Sequence, residues 1–108
     1  ADAAGDGRHE VLLRVLDISA LGMCLLVDST VLPVVADMRI TRARFQLPGF
    51  GEIRTSLEVR YILSGGARQP SHYRRCGVQF RNLASADEVL ISRYINALER
   101  DRARYARP

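Results

Sequence analysis

A chain of 108 residues, 47% of them apolar, is long enough for one folded domain with a modest core and too short for two. All 16 basic residues are arginines and the net charge is +4, which favours an anionic partner, although a genome rich in arginine codons would give the same composition. Every apolar run is far shorter than the roughly 20 residues that a membrane helix needs, and no signal peptide opens the chain. We therefore expect no membrane span and a cytoplasmic location.

The first half of the chain predicts a hairpin followed by an irregular stretch. Residues 10–17 and 23–27 are rich in aliphatic side chains and too short for stable helices, so they predict two strands. The polar connection between them ends in Gly22, which favours a tight turn. Residues 28–37 then mix apolar and turn-forming types, and Pro33 argues against a central strand there.

The second half predicts three more strands. Residues 38–47 alternate between apolar and polar side chains with one slip at Thr41 and Arg42, which suggests a β-bulge. Residues 52–63 alternate as well, and we expect one face to carry Ile53, Thr55, Leu57, Val59 and Tyr61. Gly and Pro residues make 64–71 a loop, and 72–82 form the last strand, in which Gly77 marks a bulge or a close backbone approach.

A helix is expected to close the chain. Ser85 and Glu88 have the spacing of a capping box, and an apolar stripe from Leu90 to Leu98 follows, which predicts a helix over 86–102 that packs on the sheet. The resulting fold class is mainly β, a small antiparallel barrel of five or six strands with a C-terminal α-helix. We assign residues 1–8 to a flexible lead-in or trimmed linker, 9–83 to the barrel, 84–103 to the helix and 104–108 to a basic tail.

The connection in the first hairpin contains the candidate site residues. Asp17, Ser19 and Gly22 form a D-x-S-x-x-G pattern, in which a carboxylate and a hydroxyl at a strand end can accept hydrogen bonds from the N–H groups of guanine. Gly22 would let a ligand approach the backbone closely. The pattern alone is weak, because a turn in which the Asp or Ser side chain caps the hairpin would use the same residues.

The order of motifs along residues 9–102 resembles that of PilZ domains and is most similar to the C-terminal domain of flagellar-brake (YcgR-like) proteins. The segments that carry the resemblance are D-I-S-A-L-G at 17–22, L-P-G-F-G at 47–51, L-E-V-R-Y at 57–61, R-C-G-V-Q-F at 75–80 and Y-I-N-A-L-E-R at 94–100. The resemblance implies a six-stranded antiparallel barrel that binds cyclic di-GMP and needs no other cofactor. It implies that Asp17, Ser19 and Gly22 approach a guanine, and that the domain regulates motility or a related output through a neighbouring domain, the flagellar motor or another effector protein.

One element of the family is missing from this sequence. PilZ domains that bind the nucleotide carry an R-x-x-x-R motif further upstream than the sixteen residues that precede Asp17 here. Arg8 and Arg14 do not have its spacing. Either the chain starts after this motif, which we favour, or it belongs to the PilZ domains that bind cyclic di-GMP weakly or not at all.

Three other functions compete with that of a nucleotide receptor. Catalysis has no support, because His9, His72, Cys24 and Cys76 form no nucleophile, base or metal-ligand pattern and no glycine-rich phosphate loop precedes a helix, so we expect no enzyme and no metal. A nucleic-acid-binding barrel would use the arginines with Tyr61, Tyr73 and Phe50, but no basic and aromatic residues interleave, and no DNA binding is expected. A PilZ fold used only for protein contact stays open.

Overall fold

A computed structural model describes residues 11–106, and it describes side chains as far as residue 103. Its elements are β1 (Arg14–Ile18), β2 (Gly22–Asp28), β3 (Arg39–Leu47), β4 (Gly51–Ser64), β5 (Tyr73–Arg81) and α1 (Ser85–Ala106). All strand pairs are antiparallel, and the sheet order is β1-β2-β5-β4-β3. The mainly β class with a C-terminal helix is confirmed, and the first hairpin joins β1 to β2 as expected.

The described residues form five strands, one fewer than the six expected. The sheet curls into a half-barrel whose two edges are β1 and β3. Residues 29–38 form turns because their backbone groups bond locally: the amides of Val31 and Leu32 both donate to the carbonyl of Asp28, and the amide of Met38 donates to the carbonyl of Val35. The Asp28 carboxylate also accepts the amide and the hydroxyl of Thr30, at 2.9 and 2.6 Å. The hydrogen bond from Thr30 lowers the pKa of the Asp28 carboxyl.

The concave face of the sheet, here called the core face, holds the hydrophobic core. β2, β5 and β4 contribute most of it because they occupy the middle of the sheet, while Leu47 and Ile91 join from β3 and α1. The buried members are Met23, Leu25, Val27, Leu47, Ile53, Leu57, Val59, Cys76, Val78, Phe80 and Ile91. The opposite side of the sheet, called the outer face, carries the polar and glycine positions of the same strands.

Three β-bulges interrupt the alternation of the strands. The expected slip near Thr41 and Arg42 is confirmed as a register shift between Ile40 and Ala43. Two more shifts were not anticipated, between Val15 and Asp17 in β1 and between Val59 and Tyr61 in β4. Each extra residue turns the following side chain to the other face of the sheet.

The face assigned to Tyr61 is therefore wrong. Ile53, Leu57 and Val59 are buried on the core face as expected, but the bulge at Arg60 brings Tyr61 to the outer face, where it is 49% exposed. Ile62 takes the inward position instead and packs against the core.

The helix α1 begins one residue earlier and ends four residues later than expected. The amides of Asp87 and Glu88 both donate to the carbonyl of Ala84, so Ala84 occupies the N-cap position that the capping box would give to Ser85. The helix continues to Ala106 and includes part of the stretch assigned to a basic tail. The lead-in at 1–8, the start of the first predicted strand at residue 10 and the last two residues lie outside the described range.

Ile91 attaches the helix to the sheet. Its side chain is 1% exposed within the core, and Leu90, Tyr94 and Ile95 pack around it. The ring of Tyr94 meets Phe50 edge to face, with centroids 5.8 Å apart, at the turn between β3 and β4. The helix therefore depends on the apolar stripe of its first half.

We expect Ile91→Ala to lower the free energy of unfolding by about 2–5 kcal/mol, because the substitution leaves a cavity between helix and sheet. Leu98→Ala, on the same helix at 38% exposure, is the matched control and should cost under about 1 kcal/mol. Urea unfolding followed by circular dichroism measures both. Equal losses would show that Ile91 is not the anchor.

Candidate functional site

An open cleft of about 310 Å³ lies on the outer face, where β1, β2, β5 and β4 run side by side. The three candidate residues from the sequence, Asp17, Ser19 and Gly22, all line it. Side chains that the sequence analysis did not assign to the site line it as well, and those with polar or aromatic groups are Arg60, Tyr61 and Gln79. The structure therefore brings the first hairpin into one concavity with β4 and β5.

One row of paired residues forms the floor of this cleft. Asp17 pairs with Cys24, Cys24 pairs with Gly77, and Gly77 pairs with Tyr61. Neighbouring strands lie about 4.8 Å apart, so the backbones of Asp17 and Tyr61 are separated by about 14 Å. The row places a carboxylate at one end, an aromatic ring at the other, and a glycine beside the ring.

The two unanticipated bulges create this row. Val15 pairs with Leu25 on the core face, and strict alternation would put Asp17 on that face too. The bulge at Leu16 sends Asp17 to the outer face opposite Cys24, and the bulge at Arg60 does the same for Tyr61. Bulges commonly re-aim side chains in this way next to functional sites.

Gly77 gives the Tyr61 ring its position. A Cβ built on Gly77 would collide with the ring of Tyr61, so the ring lies directly over the bare backbone of β5. This confirms the close approach expected at Gly77. A half-exposed aromatic ring held against a strand is a surface on which a base can stack.

The turn that carries Ser19 is closed by its own backbone. The amide of Ser19 donates to the carbonyl of Gly22 at 2.8 Å, and the Ser19 hydroxyl donates to the same oxygen at 3.3 Å. The carbonyl of Leu21 accepts the amide of Phe80 at 2.9 Å, which ties the turn to β5. The hydroxyl of Ser19 keeps its two acceptor lone pairs for a ligand because it is only the donor in this bond.

Gly22 is required by the sheet. It is buried, and a Cβ on it would run into the backbone carbonyl of Val78. The need for glycine here comes from close packing of β2 against β5, which accounts for this position independently of any ligand.

The cleft also contains one guanidinium. Arg60 donates to Glu58 at 3.1 Å and is 53% exposed, and Glu58 also faces Arg81 at 3.4 Å. The Glu58 side chain is only 13% exposed between these two arginines. Arg60 is thus held in the cleft lining by one N–H group, and its other N–H groups do not bond Glu58.

The chemistry of the cleft suits a base with an anionic group attached. A carboxylate accepts two N–H groups, an exposed ring offers stacking, and a guanidinium binds a phosphate through paired donors. No cluster of three or more metal-binding side chains occurs within residues 11–106, and no helix in that range is long and apolar enough to cross a membrane.

A scan against family models matches the PilZ domain over residues 3–97. The chain belongs to the PilZ domain family. Among curated relatives, the flagellar brake protein YcgR of Azoarcus sp. (strain BH72) is 35% identical over 99 residues, and YcgR 2 of Dechloromonas aromatica (strain RCB) is 40% identical over 93. These matches cover 91% and 83% of this chain but only 38% and 37% of the relatives, so the PilZ domain spans less than half of their length.

Solved structures share the fold of this PilZ domain. MrkH of K. pneumonia in complex with c-di-GMP superposes with a TM-score of 0.76 at 24% identity, over 88% of this chain and 43% of MrkH. The apo form of MrkH gives the same TM-score at 22% identity, over 88% of this chain and 42% of MrkH. At these identities the likeness establishes the architecture alone.

We expect Gly22→Ala to lower the free energy of unfolding of the PilZ domain by about 1–3 kcal/mol, because backbone atoms must move to admit the methyl group. Gly49→Ala is the control: Gly49 has φ of +82° and open space around it, so only the left-handed backbone opposes a side chain, at about 1 kcal/mol. Chemical denaturation ranks the two. A smaller loss at Gly22 than at Gly49 would contradict the packing argument.

The two thiols should differ sharply in reactivity. Cys24 is partly exposed on the cleft floor, whereas Cys76 is 1% exposed in the core, where burial raises the pKa of its thiol. We expect Ellman's reagent to modify Cys24 in the folded protein and Cys76 only after unfolding, because the thiolate is the reactive form. Cys24→Ser should remove the fast phase, and a fast phase that persists would place the accessible thiol at Cys76.

Proposed function

We propose that this PilZ domain is a receptor for cyclic di-GMP and binds the nucleotide in the outer-face cleft. The observation that supports the proposal is the row from Asp17 to Tyr61, in which a carboxylate and a half-exposed aromatic ring lie at the two ends of one open cleft. Membership of the PilZ family and the flagellar-brake relatives support it, as does the complex of MrkH with c-di-GMP.

Each residue has a defined role in the proposed complex. Asp17 accepts the N1–H and N2–H groups of a guanine, and Ser19 accepts one further donor. Tyr61 stacks on a base, and Arg60 keeps its bond to Glu58 while its other N–H groups donate to a phosphate oxygen. Gly22 keeps the turn close to β5 so that these groups face the same space. All of these roles are binding roles, so the domain acts as a receptor without catalysing a reaction.

The affinity of this chain alone should be modest. The cleft supplies one guanidinium, whereas the family's R-x-x-x-R motif supplies two. Each hydrogen bond to a charged group contributes roughly 1.5–3 kcal/mol, and each 1.4 kcal/mol changes affinity about tenfold. We propose that the arginine pair lies upstream in the longer protein.

The proposed output is control of motility by a cytoplasmic protein of the flagellar-brake type. Ligand binding would favour one arrangement of this domain against a neighbouring domain or a flagellar motor protein, because a ligand shifts an equilibrium only through different contacts in the two states. The length of the relatives beyond the matched region supplies room for such a partner domain.

A second function is favoured by one observation. The Ser19 hydroxyl is already bonded within its own turn, which is the arrangement expected if the hairpin motif is structural. The domain would then act only through protein contact. The nucleic-acid alternative has less support, since Phe50 is partly buried and already packs edge to face against Tyr94.

We expect Asp17→Asn to weaken cyclic di-GMP binding about tenfold or more, since a charged acceptor becomes a neutral amide. Tyr61→Leu should weaken it by a similar factor through lost stacking, while Tyr61→Phe keeps the ring and should bind nearly as wild type. Calorimetry measures affinity, and protection of Cys24 from Ellman's reagent reports occupancy of the cleft.

Asp101→Asn on the exposed part of the helix is the matched control and should leave binding unchanged. Wild-type protein that does not bind cyclic di-GMP at millimolar concentration, or binding that is indifferent to Asp17 and Tyr61, would support the contact-only function. Submicromolar affinity of this chain would show that the upstream arginines are not needed.

A further inference from the structure

The strand β1 forms one edge of the sheet, and within residues 11–106 it pairs with β2 alone. This edge is apolar: Val15 and Leu16 are 42% and 41% exposed, and Leu12, just before the strand, is 97% exposed. The backbone groups on the open side of an edge strand can continue the hydrogen-bond ladder, so a strand with exposed apolar side chains readily pairs with another. β1 is therefore a candidate surface for strand addition.

The opposite edge of the sheet has a different character. β3 carries three exposed arginines, Arg39, Arg42 and Arg44. Charged side chains of one sign on an edge strand oppose pairing with a second strand of the same kind. β1 carries one arginine and one aspartate, so its charges cancel. Of the two edges, β1 is the one on which a second copy of this chain would meet no net repulsion.

The sequence of β1 is complementary to itself when two copies run antiparallel. If Arg14 lies opposite Asp17 of a second copy, then Asp17 lies opposite Arg14 of that copy. Val15 and Leu16 face each other between these two charge pairs. Leu13 then lies opposite Ile18, and both pack against the core of their own chain. Opposite charges and apolar side chains placed directly across from each other stabilise an antiparallel pair of strands.

The bulge at Leu16 makes this register possible. Arg14 pairs with Leu26 and Asp17 pairs with Cys24, so both charged side chains lie on the outer face of the sheet. In a strand without a bulge, residues at these two positions would lie on opposite faces, and an antiparallel copy could not bring them together on one side. With the bulge in each copy, the two extra residues lie across from each other and the pairing stays balanced.

We propose that β1 is the interface of a symmetric dimer, in which β1 of a second copy pairs antiparallel with it and continues the sheet. The charges select one register. A shift by one residue places Arg14 opposite Leu16 or Ile18, and larger shifts bring Arg14 opposite Arg14 or Asp17 opposite Asp17. The match of the strand to itself is what favours a second copy over an unrelated strand. The dimer needs no nucleotide, so this inference stands apart from the receptor function.

The test exchanges the two charges of the interface. Arg14→Asp and Asp17→Arg each turn two attractive pairs into two repulsive ones, so each should weaken self-association about tenfold or more. A mixture of the two variants restores both attractive pairs, and so does the double exchange Arg14→Asp/Asp17→Arg. Both should dimerise about as tightly as the wild type. Sedimentation velocity without nucleotide measures all of these constants.

The matched controls are Arg100→Asp and Asp101→Arg, at exposed positions of α1, which change the net charge by the same amounts. Each should dimerise like the wild type, and their mixture should gain nothing. Equal effects in the two sets would reduce the association to net charge and overturn the proposal. A mixture of the β1 variants that associates no better than either variant alone would overturn the register.

Hydrogen exchange of the wild-type protein tests the same interface without any substitution. We expect the β1 amides on its open side to gain protection as the protein concentration rises, while those of β3 do not change. Protection confined to β3 would place the interface at the other edge. A wild type that stays monomeric at millimolar concentration would also overturn the proposal, and the edge would then be left to a strand of another segment or protein.

Discussion

The backbone register of the sheet decides which side chains reach the core face and which reach the outer face. Side chains alternate between the two faces of a strand. One extra residue therefore moves every following side chain from the core face to the outer face, or the reverse. The bulges at Leu16 and Arg60 make this exchange in β1 and β4 while the paired strands β2 and β5 between them remain regular. The core stays closed, and Asp17 and Tyr61 reach the same outer row.

Two glycines make this arrangement sterically possible. Gly22 lets β2 approach the Val78 carbonyl, and Gly77 leaves room for the Tyr61 ring over β5. A side chain at Gly22 would press on backbone atoms, whereas one at Gly77 would press on a ring that can turn outward. Gly22 is thus needed for the close packing of β2 against β5, and Gly77 determines the position of an aromatic ring that lines the cleft.

The sequence predicts the features that depend on neighbouring residues, such as strands and turns. It does not predict the features that depend on how the strands pair, such as the bulges. Alternation and turn residues located all five strands, and the D-x-S-x-x-G pattern led to three residues that line the cleft. Arg60 and Tyr61 were missed because regular alternation hides a bulge that only the partner strand reveals. Gln79 was missed because no local pattern shows that β5 pairs with β2 beside the first hairpin. Gly77 was the available signal, since a glycine in the middle of a strand implies that something large lies over it.

Glu58 lies at the edge of the cleft between two arginines. It lies in the row of Gly22, Gln79 and Arg39, and it binds Arg60 on the cleft side and Arg81 on the other. The Glu58 carboxylate is only 13% exposed between the two guanidinium groups. Removing either arginine would lower the stability of the fold, because the hydrogen bonds to these groups offset the loss of water around the carboxylate. The two arginines are therefore held in fixed positions by one acid.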